Sequence, residues 1–306
     1  MDAPLQPQSI LSIDYLSVSG TIGSTDETQR QIDAILVEAG YPPPRWHPLG
    51  IYETGFRIPR IGAVFLGHCY PPIRTLKGTT LGSFHFNPNL CDFATVRRIL
   101  ALFSGLRVTR TDIAVDLIHP DASCWNVIQT RLSETSRESS SVRYGQSSGD
   151  RQLLLYDKTL ERTDKHRRAI HILDIFGVIH SFDAVELQKS GYGWLRVEAR
   201  LRKTWIRDNH VKPGAFKDLF VVPGSPDTSC LGSSATREAR LLGFLAKPAL
   251  YSAFTSARRR ALREDLRDCE YHLLPVPSPF SLYDEHYQDV LDALDRLLGL
   301  EMEAAA

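Results

Sequence analysis

The stretch that decides the fold is Leu106-Arg107-Val108-Thr109-Arg110-Thr111-Asp112-Ile113-Ala114-Val115-Asp116-Leu117-Ile118. Side chains alternate between faces along a β-strand. Arg110, Asp112, Ala114 and Asp116 then share one face, and Ile113, Val115 and Leu117 share the other. The apolar face must pack on helices, and the charged face must meet water or another partner for its carboxylates. Trp194 to Arg202 repeats the design, with Arg196, Glu198, Arg200 and Arg202 on one side and Leu195, Val197, Ala199 and Leu201 on the other. In Gln152 to Lys158, Leu154, Tyr156 and Lys158 point the same way.

Working outward, Ile10–Ile22, Ile61–Cys69 and Gly82–Phe86 also read as strands. Helical spacing runs through Glu27–Glu38 behind a Ser24-Thr25 cap, and through Phe93–Phe103 before Gly105. Another helix is expected from about Cys124 to Ser136, and the Ser-rich run 139–148 reads as a turn. These elements predict an α+β fold, an antiparallel sheet with helices packed on one face. The same run of strand, helix and strands before and after residue 120 is what an internal duplication would leave. Val221–Ser234, rich in Pro, Gly and Ser, reads as a linker. Helices are expected beyond it at about 238–246, 249–269 and 283–301. The expected division is therefore 1–220, carrying the charged strands, and 221–306, a helical C-terminal region.

The 306 residues are 42% hydrophobic and 24% charged, the composition of an ordinary globular protein. Thirty-six basic residues balance 36 acidic ones. No global field draws the chain onto nucleic acid, so any such binding needs a local basic surface. Five widely spaced cysteines without a CxxC pair argue against a disulfide framework or a zinc site, and reduced thiols are expected. The first residues lack the basic start and apolar run of a signal peptide. No apolar run approaches the roughly 18 residues of a membrane span. A cytoplasmic location without membrane contact is the expectation.

If the three charged strands lie in one sheet, they gather Asp112, Asp116, Glu198, Tyr156, Lys158 and several arginines. Hard oxygen ligands of this kind suit Mg²⁺ or Mn²⁺. A tyrosine nucleophile with an ordinary pKa of about 10 needs a cation nearby, such as Lys158 or the metal. The same pattern also fits a solvated sheet face with ordinary Arg–Glu cross-strand pairs. Periodicity alone leaves both readings open.

Three blocks tilt the choice: Arg-Thr-Asp-Ile-Ala-Val-Asp at 110–116, Leu-Leu-Leu-Tyr-Asp-Lys-Thr-Leu-Glu at 153–161, and Trp-Leu-Arg-Val-Glu-Ala-Arg-Leu at 194–201, followed by the basic Arg202-Lys203-Thr204-Trp205. In order and spacing they resemble the N-terminal domain of the gene II replication endonucleases of filamentous phages. More distantly they resemble the initiators of plasmids that replicate by rolling circle. The resemblance covers about residues 60–220. It implies a rolling-circle replication initiator, a site-specific single-strand endonuclease and strand transferase that forms a 5′-phosphotyrosine intermediate. It implies Tyr156 as the nicking residue with Lys158 as the motif lysine; Asp112 and Glu198 fall on the aspartate and glutamate of its other blocks and are metal-ligand candidates by their geometry, with Asp116 a weaker one. Partners would be origin DNA, supercoiled duplex and single strand, and host helicase and polymerase. A conjugative relaxase-like nickase and a non-enzymatic DNA-binding protein are the alternatives.

The chain also departs from the family. Where the phage proteins carry a Gly-His-Asn element, it reads Lys77-Gly78-Thr79-Thr80, and no His-x-His pair occurs. His85 is the one histidine offered as a ligand. Between Leu195 and Lys217 seven Lys or Arg face two acids. Arg110, Arg196, Arg200, Arg202, Lys203 and Trp205 are accordingly the expected DNA contacts, since single-strand binders combine cations with aromatic platforms.

Overall fold

A computed structural model of the chain describes residues 6–67, 80–120, 125–129, 131–138, 140–164, 169–223, 228–246, 253–273 and 276–299. The long strand that opens the sequence reading is present as β6, Ser104–His119. It pairs on one side with β1, Gln8–Ile22, and on the other with β13, Gly193–Arg202, both antiparallel. Between β1 and β6 lie α1 (Thr25–Glu38), β2 (His47–Leu49), β3 (Tyr52–Ile58), β4 (Gly62–Leu66), β5 (Thr80–Phe86) and α2 (Phe93–Leu100). After β6 come β7 (Trp125–Gln129), β8 (Glu134–Arg137), β9 (Ser141–Tyr144), β10 (Arg151–Asp157), α3 (Lys158–Asp164), β11 (Ala169–Leu173), β12 (Ile179–Asp183) and α4 (Ala184–Lys189). Beyond β13, the short strands β14 (Ile206–Arg207) and β15 (His210–Val211) pair as a hairpin.

The longer strands build one ten-stranded sheet in the order β2-β3-β4-β5-β1-β6-β13-β10-β9-β8. Each half has the same plan. A long central strand leads to an outer meander, and the last strand of the half returns beside the central one. The two halves meet at the antiparallel β1–β6 pair, so strand order reads alike outward from that seam. The α+β expectation holds, and the topology has the form of a duplication.

Apolar residues of the central strands, among them Leu16, Val18, Ile113, Val115, Val197 and Leu201, share one buried core with Ile32 and Leu36 of α1 and Val96 and Ile99 of α2. Ser24 caps α1 by accepting from the Glu27 amide, and Asp92 caps α2 through the Thr95 amide. Both caps satisfy amides that the helix leaves open. At the start of β4, Gly62 takes φ 122°, and a Cβ there would stand 2.1 Å from the His85 carbonyl oxygen. Only glycine lets the two backbones approach this closely.

The C-terminal helices divide between two cores. The pair α5 (Ala235–Ala246) and α6 (Ser256–Leu273) encloses Leu241, Phe244, Leu262 and Leu266 with Phe220 and Leu231. The pair α7 (Pro279–Glu285) and α8 (Tyr287–Leu298) instead joins the sheet core through Tyr283, Val290, Leu294 and Leu297. The expected single helix 283–301 is interrupted at His286, and α8 ends on Gly299 at φ 73°.

Several expectations are corrected. The helix expected at 124–136 is two strands, β7 and β8. Asn126-Val127-Ile128-Gln129 carries β-branched residues that favour pairing. The partner of β7 is β16, Leu219–Pro223, which includes the first residues of the expected linker. Cys230 and Cys269 form a disulfide, where reduced thiols were expected. Cys69, Cys124, residues 77–79 of the Lys-Gly-Thr-Thr element, 224–227 of the linker, and the expected helix ends at 249 and 301 lie outside the described residues.

Leu294 on α8 is fully buried in the sheet core. Leu294→Ala is expected to lower the stability of the whole sheet by about 2–5 kcal/mol. A urea titration followed by tryptophan fluorescence checks this. A separate early transition of a helical fragment, with the sheet unaffected, would contradict the shared core.

Candidate active site

The charged face of the sheet is not a solvated surface. Asp112, Asp116, Arg196 and Glu198 are 3%, 0%, 3% and 7% exposed. One end is roofed by the β11–β12 hairpin and α4, whose Ile170, Ile172 and Leu187 pack with Ile10, Ile118 and Trp194. Buried charges must be paired and hydrogen-bonded, and the alternation seen in the sequence supplies the partners across neighbouring strands.

Register places Arg196 between Asp116 on β6 and Tyr156 on β10. Arg196 donates from Nε and Nη2 to the two Asp116 carboxylate oxygens, each at 2.7 Å. The Trp194 indole N–H donates to the same carboxylate at 2.7 Å. The remaining Arg196 nitrogen, Nη1, reaches Asp14 at 2.7 Å and Glu198 at 4.0 Å. Asp14 comes from a bulge in β1 and also accepts from the Asn89 amide at 3.1 Å. Burial alone would raise the Asp14 carboxyl, but the charges of Arg196 and Lys158 hold it below its usual range.

Tyr156 sits at the centre of the free side of this cluster. Its hydroxyl donates to Glu198 Oε1 at 2.6 Å, and Lys158 Nζ donates to the Tyr156 oxygen at 3.1 Å. Lys158 is itself held by Glu161 at 2.8 Å. Burial, then the facing Glu198 carboxylate, push the Tyr156 phenol far above its ordinary range. Burial and the Arg196 charge lower the Lys158 ammonium. Burial, then the Asp14 charge, raise Glu198 to about 7. Two carboxylates, a phenol and two cations therefore share one small space, with the Tyr156 hydroxyl donating its proton to Glu198.

The sequence-derived residues fall into separate places. Tyr156, Lys158, Glu198 and Arg196 come together. Asp116 belongs to the same cluster, with its oxygens taken by Arg196 and Trp194. Asp112 lies in an adjoining pairing, accepting from Arg110 at 2.8 Å and Arg200 at 3.2 Å, while Arg200 also donates to Gln152 at 3.1 Å. His85 is on β5, three strands from β13 and roughly 14 Å away at the usual strand spacing. Its imidazole, 3.0 Å from the Ser83 hydroxyl, is lowered to about 4 by burial and by Arg110 and Arg57. Among the described residues, no group of three or more His, Cys, Asp or Glu is placed to hold one ion, so Asp112, Asp116, Glu198 and His85 do not converge. Mg²⁺ commonly needs only one or two carboxylates, completing its shell with water and substrate phosphate. Asp14 and Glu198, like charges facing each other beside Tyr156, fit that smaller donor set.

Of the expected DNA contacts, Arg196 is internal. Arg110, Arg200 and Arg202 line the half-open part of the face, with Arg202 donating to the Ser147 carbonyl at 2.7 Å. Lys203 is exposed, and Trp205 is partly buried under Arg151, whose guanidinium stands 4.9 Å from its ring centre. Asp14 and Asn89 were missed by the sequence reading. The signal available for Asp14 was a carboxylate in an otherwise apolar, Ser-rich strand.

The raised Glu198 pKa makes a stability prediction. The folded state holds this proton more tightly than the unfolded chain, so its contribution is full below about 4.5 and is lost as pH rises through about 7. In EDTA, the protein is expected to lose up to about 3 kcal/mol between pH 5 and pH 8 from this group. Glu198→Gln should lose clearly less. Urea titrations at the two pH values read the difference, and equal losses would remove Glu198 as the titrating group.

No curated protein sequence matches the chain. A solved structure, the rolling circle replication initiator protein from Geobacillus stearothermophilus, aligns at 13% identity with a TM-score of 0.33, over 64% of this chain and 75% of that one. The family model described as the N-terminal part of the gene II replication-associated protein matches residues 94–216, from α2 through β6, β10 and β13, so the resemblance carried by the three sequence blocks holds over that stretch.

Proposed function

We propose that the protein initiates rolling-circle DNA replication by nicking one strand with Tyr156. The observation that carries the reading is the Tyr156 hydroxyl held between Glu198 at 2.6 Å and Lys158 at 3.1 Å, inside the segment that matches the replication-associated family. A structural tyrosine on a sheet face has no need of a buried lysine and a raised carboxylate on the same oxygen. Perturbed groups converging on one atom are the mark of a reactive site.

The chemistry follows from the partners. As the Tyr156 oxygen attacks the scissile phosphorus, its proton passes along the existing hydrogen bond to Glu198. Glu198 Oε1, already the acceptor of that hydrogen bond, is placed to take the proton. Lys158 stabilises the developing phenolate. The new bond is phosphorus to tyrosine oxygen, and the broken bond is phosphorus to the 3′ oxygen. That oxygen leaves as a free 3′-hydroxyl after taking up a proton, and a 5′-phosphotyrosine remains. The adduct conserves the energy of the phosphodiester, so the same site can rejoin the strand.

Mg²⁺ or Mn²⁺ is the proposed cofactor. Asp14 and Glu198 would hold it, and it would supply Lewis acidity at the phosphate. Arg196, locked by Asp116, keeps these side chains in place. Origin DNA is the proposed substrate, with host helicase and polymerase extending the free 3′ end. Among the described residues no helix is long and apolar enough to cross a membrane.

Tyr156→Phe is expected to abolish the covalent adduct with supercoiled plasmid carrying the cognate origin, reducing nicking by at least about 10³-fold. Binding to the same DNA should change little. EDTA should suppress the wild-type adduct, and Mg²⁺ or Mn²⁺ should restore it. An adduct that survives Tyr156→Phe would remove the tyrosine assignment. Binding without any nicking in the wild type would favour a non-enzymatic DNA-binding protein.

A further inference from the structure

The first half of the sheet carries a second concavity that the tyrosine site does not use. Two cavities, of about 650 and 480 Å³, open on the charged face over β3, β4, β5 and β1, and both are lined by Tyr15 and His85. Together they form one groove. Arg57 and Arg60 line its outer part, and Arg110 and Arg202 line the part toward β13. Among the described residues, no carboxylate lines either cavity. In a chain whose 36 basic residues are matched by 36 acids, this groove is locally one-signed.

The rest of the lining is as selective as the charge. Tyr15 stacks under the Arg110 guanidinium at 4.1 Å and meets His85 edge-on at 6.2 Å. Phe65, beside His85 at 4.8 Å, continues to Tyr52 at 5.1 Å. Tyr15, His85 and Tyr52 thus line the groove, with Phe65 packed between His85 and Tyr52. Ser17, Ser19, Ser83 and Thr109 also line the inner cavity, the Ser17, Ser83 and Thr109 hydroxyls being bonded within the sheet. His85 is neutral at physiological pH, its pKa near 4, and adds a flat ring without adding charge. Arginines for phosphates and aromatic faces for bases are the combination that holds unpaired nucleic acid without a fixed sequence. A duplex could not lay its stacked bases on these rings.

β4 and β5 occupy in the first half the places that β10 and β13 occupy in the second. The groove is therefore related to the Tyr156 site by the plan of the sheet, on the same face. From β10 to β5 is four strand spacings, roughly 19 Å. Arg200 and Arg110, both paired with Asp112, lie between.

We propose that this groove, defined by Arg57, Arg60, Tyr15 and His85, binds the single-stranded DNA flanking the scissile phosphate, several nucleotides from the bond that Tyr156 attacks. This rests on the nicking reading for its connection to Tyr156, but the groove's preference for unpaired nucleic acid is testable alone.

The probe is a fluorescein-labelled, mixed-sequence DNA of about 20 nucleotides, the scale of single-strand site sizes, single-stranded or annealed, with binding followed by anisotropy in EDTA. Arg57 and Arg60 are exposed, so Arg57→Ala/Arg60→Ala should fold normally, which circular dichroism verifies. The double variant is expected to bind the single strand at least about tenfold more weakly. Its slope of log affinity against log salt should fall by about 1.4, two lost phosphate contacts at about 0.7 each. Tyr15→Ala should weaken single-strand binding with little change in that slope. Bromodeoxyuridine-substituted oligonucleotides should cross-link to peptides spanning Tyr52–Phe65 or His85. Wild-type affinity and slope in the double arginine variant, or cross-links confined to another surface, would overturn the proposal. An origin adduct that forms while the groove variants bind normally sinks the groove alone. Groove-dependent single-strand binding without any adduct sinks the nicking reading alone.

Discussion

The structure around the site depends on one buried cation. Arg196 sits in the middle of the central sheet, and the acceptors its guanidinium reaches are carboxylates, two of them from other strands. Asp116 takes two of its nitrogens, Asp14 takes the third, and Glu198 lies just beyond. A guanidinium removed from water is costly unless its fork is filled, and here the fork ties β13 to β6 and β1 at one point. Its charge holds Asp14 low and adds to the lowering of Lys158, while burial and the Asp14 charge raise Glu198 against its pull. Burial and the facing Glu198 hold Tyr156 protonated, with an acceptor already in contact.

This also explains why Asp116 and Asp112 differ from Glu198 although all three alternate on one sheet face. The two aspartates are each closed by arginines, Asp116 by Arg196 and Asp112 by Arg110 and Arg200. Glu198 has a phenol for its near partner and a like charge behind it. Three acids with the same strand periodicity thus divide into two closed by arginines and one held against a phenol.

The sheet was legible because its signal is local. Alternation over 106–118, 152–158 and 194–202 needs no knowledge of neighbours, and the strand faces it implies are those in the structure. Tyr156, Lys158 and Glu198 were brought together correctly because adjacent strands in register put alternating residues side by side. What the sequence withheld was long-range. Asp14 reaches the site through a β-bulge between Ile13 and Tyr15, and a bulge inverts the count of faces from that point on. The burial of the charged face depends on the β11–β12 hairpin and α4 folding over it, which no strand pattern announces. The 124–136 segment went wrong because Asn126 to Gln129 answer to a partner strand, β16, that lies far along the chain.

The mirrored strand order has a meaning for how such a chain came to exist. A half-length ancestor could have closed the same sheet by pairing its long strand with that of a second copy about a true two-fold axis, the commonest symmetry of small assemblies. Such a dimer would have carried two identical reactive centres. Once both copies are encoded in one polypeptide, selection no longer acts on them together. One half can keep the tyrosine and its carboxylate while the other supplies Asp14 across the seam and turns its own vacated position to a different use. An asymmetric molecule, with one tyrosine cluster and a second face free to diverge, is what gene fusion makes available to a symmetric one.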